Sequence, residues 1–160
     1  MKGWFLMVNN VRQMKDDSQL QELINGLNED LANEYAATIM YTYNASVVSG
    51  LYRSLLKPFF EDEINDEIGH ALYLSDKIKT LGGTPTTTPK EVKQLTNVKD
   101  MLEETRKAEE DTIQRYEKRK KQAEELGLTE LVVKLEDMIA DETSHKEEAD
   151  RLLADPSFFK

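Results

Sequence analysis

The chain contains no cysteine, which excludes disulfides, thiolate-bound metals and iron–sulfur clusters. That absence fits a reducing cytoplasm, where the protein is expected to reside. Proline and glycine are also scarce, at four and seven in 160 residues, so no low-complexity or collagen-like stretch is present. Long apolar runs are missing. Trp4–Val8 is apolar but too short for a secretory core or a membrane span, so no membrane partner is expected. Basic residues are outnumbered, 21 Lys and Arg against 31 Asp and Glu, and the net charge of −10 excludes sequence-independent nucleic-acid binding, which needs cations to neutralise phosphates. The same charge raises the local concentration of metal cations. Histidine is rarer still: there are two, His70 and His145.

What is present is helical patterning. The length suits one domain with one core, here expected to span 1–160. Apolar residues recur at heptad-like spacing in four segments, about 17–48, 54–81, 97–126 and 129–153. Gly50 divides the first two segments and Gly127 the last two, with Thr129 expected to cap the fourth. Pro58 is expected within the first turns of the second segment. Gly82–Pro89 forms the one evident loop. Two short turns and one long connection predict an all-α four-helix bundle in which the second-to-third connection crosses the length of the bundle.

Each apolar stripe is interrupted at its middle by a glutamate, and the interruptions repeat. Glu34, Tyr41, Glu67 and His70 recur as Glu109, Tyr116, Glu142 and His145, each 75 positions on. Asp66 and Asp141 precede the second glutamate of each half, giving two D-E-x-x-H motifs. Glu and His three residues apart lie on one face of a helix, so one turn offers both to one ion. Four ionised carboxylates in an apolar interior are costly, roughly several kcal/mol each, and they repel one another. Two divalent cations remove both problems. A sulfur-free set of carboxylates and imidazoles suits iron or manganese, with zinc able to occupy it. The stripe and the E-x6-Y spacing select Glu109, although Glu110 stands beside it as an alternative. Tyr41 and Tyr116, two turns beyond a ligand, are placed to hydrogen-bond a carboxylate of a neighbouring helix. Asp66 and Asp141 are candidates to accept the second N–H of the histidines. The basic cluster Arg115–Lys121 reads as a solvated face, and Trp4–Val8 with Phe158–Phe159 as packing or subunit contact.

With these residues, about 17–153 resembles the ferritin-like superfamily, nearest to bacterioferritins and small di-iron carboxylate (erythrin-like) proteins. The resemblance implies a di-iron centre held by Glu34, Glu67, His70, Glu109, Glu142 and His145 of one chain, with Glu67 and Glu142 bridging. It implies a ferroxidase that oxidises Fe(II) with O2 or H2O2 for iron storage or detoxification. The alternative is a rubrerythrin-like di-iron or dimanganese peroxidase or O2-activating oxidase; a third is a helical assembly module with structural metal. Ile68 stands where bacterioferritins carry their haem-binding methionine, so haem is not expected. The chain stops soon after the fourth segment, so the fifth helix of ferritin cages is not expected either. A homo-oligomer, at least a dimer, is.

Overall fold

The computed structural model describes residues 2–159, with side chains described over 17–158. The expectations for Trp4–Val8 and Phe159 lie outside the described side chains. Among the described residues there are four long helices and no strand: α1 (Lys2–Val47), α2 (Arg53–Thr80), α3 (Val98–Glu125) and α4 (Thr129–Leu153). Short 3-10 turns at Gly50–Tyr52 and Pro156–Phe159 follow α1 and α4. α1 begins well before the expected residue 17. No proline stands between Lys2 and Asp17 to stop it, and among the described side chains its buried stripe begins at Leu23.

The helix ends follow from local chemistry. α2 and α3 both terminate in a left-handed glycine. Gly82 has φ 90° while Gly83 N–H donates to the Ile78 carbonyl at 2.9 Å, and Gly127 has φ 69° while Leu128 N–H donates to the Ala123 carbonyl at 2.9 Å. Leu128 thereby becomes the residue that leads into α4, and Thr129, expected as the cap, is the first helical residue instead. Asn97 caps α3, its side chain accepting from Asp100 N–H at 3.2 Å.

α1 packs on α2 and α3 on α4 as antiparallel hairpins, and the two hairpins are joined by residues 81–97. That crossover is stitched to α1. Thr86 N–H donates to Asn28 Oδ1 at 2.7 Å, Asn28 Nδ2 to the Thr84 carbonyl at 3.2 Å, and Lys90 N–H to the Ala32 carbonyl at 3.0 Å. The connection therefore returns along α1 and leaves α3 antiparallel to it. The chain is an all-α four-helix bundle with one long crossover. No described helix is long and apolar enough to cross a membrane.

The apolar interior is in two parts. One contains Leu23, Leu27, Leu31, Leu74, Ile78, Leu131 and Leu135 and is closed by Tyr116. The other contains Ala45, Val48, Leu56, Phe60, Met101 and Leu102 and is closed by Tyr41. Phe158 stacks on Tyr52 beside the second part, with ring centroids 5.3 Å apart. Between the two parts lies a polar layer.

Candidate metal centre

The polar layer is built from the middle of each helix. Glu34 comes from α1, Glu67 and His70 from α2, Glu109 from α3, and Glu142 and His145 from α4, all buried. Their donor atoms fall into two overlapping groups. Glu34, Glu67, His70 and Glu142 form one, and Glu67, Glu109, Glu142 and His145 the other, each with its donor atoms within 4.8 Å of one another. Glu67 and Glu142 belong to both. Glu110 is not in either group; its side chain is 45% exposed and faces Lys146 at 3.5 Å.

Both imidazoles present Nδ1 to the carboxylates. His70 Nδ1 is 2.9 Å from Glu142 Oε1, 3.6 Å from Glu34 Oε2 and 3.9 Å from Glu67 Oε2. His145 Nδ1 is 3.3 Å from Glu142 Oε2 and 3.9 Å from Glu67 Oε1. None of these approaches has the alignment of a hydrogen bond. His70 Nδ1, His145 Nδ1, Glu34 Oε2, Glu67 Oε1 and both Glu142 oxygens are buried without a partner. Orphaned buried donors and acceptors are rare because each costs about 1–3 kcal/mol. Six converging on one layer fit a site made for cations, and the oxygen-and-imidazole set fits iron or manganese.

A second ring of side chains orients the first. Tyr41 Oη on α1 donates to Glu109 Oε1 on α3, and Tyr116 Oη on α3 donates to Glu34 Oε1 on α1. Each half's phenol thus holds the other half's lone carboxylate. The two D-E-x-x-H motifs exchange partners likewise. Asp141 Oδ2 lies 3.3 Å from His70 Nε2, and Asp66 Oδ2 lies 3.5 Å from His145 Nε2. Carboxylates on Nε2 fix the tautomer that leaves Nδ1 free for a metal. His145 has a closer partner that sequence reading missed, Glu63 Oε2 at 2.7 Å. Glu63 sits one helical turn before Glu67, but its counterpart 75 positions on is Met138, so the repeat gives no sign of it.

The electrostatics record the crowding. Burial, then the charges of Glu142, Glu34 and Glu109, push the Glu67 carboxyl well above the usual range. Burial and the neighbouring Glu142 do the same to Glu109. Burial opposes charging of the imidazoles but is outweighed by Glu142 and Glu34 at His70, which rises to about 10, and by Glu142 and Glu63 at His145, which rises to about 11. Burial also opposes ionisation of Glu142, yet His145 and His70 bring it down to about 2. Both imidazoles of the layer therefore carry protons at neutral pH.

One predicted surface is solvated only in part: Lys118 and Lys121 are exposed, Arg119 is not. Arg119, assigned above to an exposed basic cluster, is 2% exposed. Its Nε donates to Asp30 Oδ2 at 2.8 Å and its Nη1 to Gln122 Oε1 at 2.8 Å, while Arg115 Nε lies 3.4 Å from Asp30 Oδ1. Asp30 is itself fully buried, and burial carries its carboxyl to about 6 against the pull of both guanidiniums. A hint was available in the sequence. The stripe of α3 runs Thr112, Tyr116, Ala123, and Arg119 occupies the vacant turn between them.

Comparison with known proteins agrees with this architecture. The ferritin-like domain family matches residues 24–157. Among solved structures, a ferritin-like, diiron-carboxylate protein of Bacillus anthracis strain Ames is 69% identical, with a TM-score of 0.83 over 84% of this chain and 97% of that one. The bacterioferritin of Desulfovibrio desulfuricans is 24% identical, with a TM-score of 0.80 over 87% of this chain and 82% of that one. A dodecameric thioferritin of Bacteroides fragilis, related to bacterioferritin, is 24% identical, with a TM-score of 0.79 over 88% and 89%. The last two share the fold. Among curated proteins none matches.

Proposed function

Because the chain belongs to the ferritin-like domain family, we propose that it is a ferroxidase, oxidising Fe(II) to Fe(III) with O2 or H2O2 for iron storage or detoxification. The observation that carries this reading is the pair of overlapping ligand groups, which provides two cation positions sharing Glu67 and Glu142. Glu34 and His70 would complete one position and Glu109 and His145 the other, with Glu67 and Glu142 common to both. Two ferrous ions together supply two electrons, enough to reduce O2 and two protons to H2O2, or H2O2 and two protons to water.

The protein's own residues hold the reactants and manage charge. Glu67 and Glu142 keep the two positions adjacent. Tyr41 and Tyr116 restrain the terminal carboxylates from neighbouring helices. Asp141, Glu63 and Asp66 hold the imidazole rings by Nε2. The apolar layers on either side, closed by the two tyrosines, keep bulk water from the centre along the bundle axis. In the cell we place the protein in the cytoplasm as a homo-oligomer.

One feature favours a second reading, a rubrerythrin-like peroxidase or O2-activating oxidase with retained iron or manganese. Both phenols are buried and bonded to carboxylates of the centre. Anaerobic Fe(II) loading followed by aerobic stopped-flow absorbance separates the two. A ferroxidase oxidises two Fe(II) per chain rapidly and continues with further additions, leaving soluble Fe(III). One saturating event with two metals retained would instead identify the oxidase or peroxidase, and absence of binding would refute both.

A further inference from the structure

The 75-residue repeat relates the two metal positions, so any charge that breaks the repeat makes them unequal. Two such breaks flank the centre. On the Glu34 side, the cluster of buried Asp30 and Arg119 with partly buried Arg115 lies about one helical turn away. Asp30 is one helical turn before Glu34 on α1, and Arg119 is one turn beyond Tyr116, whose hydroxyl donates to Glu34. One carboxylate against two guanidiniums leaves a positive excess there. Glu29 approaches Arg119 at 3.5 Å, but its side chain is 53% exposed and screened by solvent. The repeat counterparts of Asp30, Arg115 and Arg119 are Thr105, Met40 and Asn44, all uncharged.

The second break has the opposite sign. At the Glu109–His145 position the outer imidazole nitrogen meets two carboxylates, Glu63 at 2.7 Å and Asp66 at 3.5 Å. At the other position, among the described residues, it meets Asp141 alone, and the counterpart of Glu63 is the buried Met138. Lys146, adjacent to His145, is balanced by Glu110 at 3.5 Å and Asp150 at 3.4 Å.

Building on the two-metal reading, we propose that the Glu109–His145 position binds its divalent cation first and holds it, and that the Glu34–His70 position is the weaker, exchangeable one. Glu63 and the Asp30–Arg115–Arg119 cluster set this order without touching the metal. Both breaks act in the same direction. A net unit charge within a few residues' distance of a dication, at the effective dielectric of such sites, separates the two affinities by about tenfold or more.

Anaerobic titration of the full chain with Co(II), read by visible absorbance and by calorimetry, tests the order independently of any oxidation. Two resolved steps of one ion per chain each are expected. His145→Gln should remove the tight step and His70→Gln the weak one. Glu63→Gln should weaken the first step several-fold and spare the second, whereas Arg115→Met, which restores the uncharged counterpart, should tighten the second. Glu63 and Arg115 are only partly buried, so the fold is retained in those two variants. Two ions bound with equal affinity, or loss of the tight step in His70→Gln, would overturn the proposed order while leaving a two-metal site. Failure of any Co(II) to bind would overturn the order and the two-metal reading together.

Discussion

His70 and His145 carry protons near neutrality in the metal-free protein, since they rise to about 10 and about 11, and burial with neighbouring carboxylates shifts Glu67 and Glu109 upward as well. Metal ions must displace those protons to bind. Loading both positions near pH 7 should therefore release the protons of both imidazoles, measurable with an indicator dye, and affinity should fall as pH falls. The stability of the metal-free protein follows from the same shifts. His70 rises from 6.5 to about 10, so its stabilising contribution is complete below pH 6.5 and is lost as pH rises through 10. His145 and the two raised glutamates act with the same sign. Melting temperature without metal should thus decline from neutral to alkaline pH, and the metal-loaded protein should resist that decline. Glu109→Gln tests the ligand on α3 separately. The amide keeps an acceptor for Tyr41, so metal-free stability should change by less than about 1 kcal/mol while stoichiometry drops to one metal per chain. Two metals retained in that variant would move the role to Glu110.

At the scale of helices, the heptad stripes with their central glutamates made the bundle and its polar layer legible, because apolar spacing and a 75-residue repeat are properties of sequence alone. The start of α1 was not legible, since an amphipathic pattern marks what is buried rather than where a helix begins. Nor was the pairing of Asp30 with Arg119, because its members on α1 and α3 are 89 residues apart in sequence and the α3 stripe marks only the turn that Arg119 occupies. Gly26 belongs to the same group. A Cβ there would overlap the Arg119 guanidinium, so the glycine opens the space in which the pair forms. Gly26→Ala should cost about 2 kcal/mol or more in chemical denaturation, through overpacking and displacement of a buried ion pair. A neutral result would mean that Arg119 leaves its pocket without penalty.

Across the whole molecule, the net charge of −10 favours the approach of cations to the proposed metal centre. Long-range attraction of that kind is screened by salt, with a Debye length near 10 Å at about 0.1 M. The rate of Fe(II) arrival, read from the first turnover in stopped flow, should fall several-fold as ionic strength rises from about 0.01 to 0.3 M. A rate independent of salt would assign uptake to a local path instead of the overall field.

The central claim is that this bundle holds two metal ions side by side between Glu67 and Glu142. Crystals soaked anaerobically with Fe(II) and measured at the iron absorption edge test it directly. Two anomalous peaks are predicted, one against His70 Nδ1 and Glu34, the other against His145 Nδ1 and Glu109. A single peak, or density only on the Nε2 side of His145 among Glu63 and Asp66, would contradict the account.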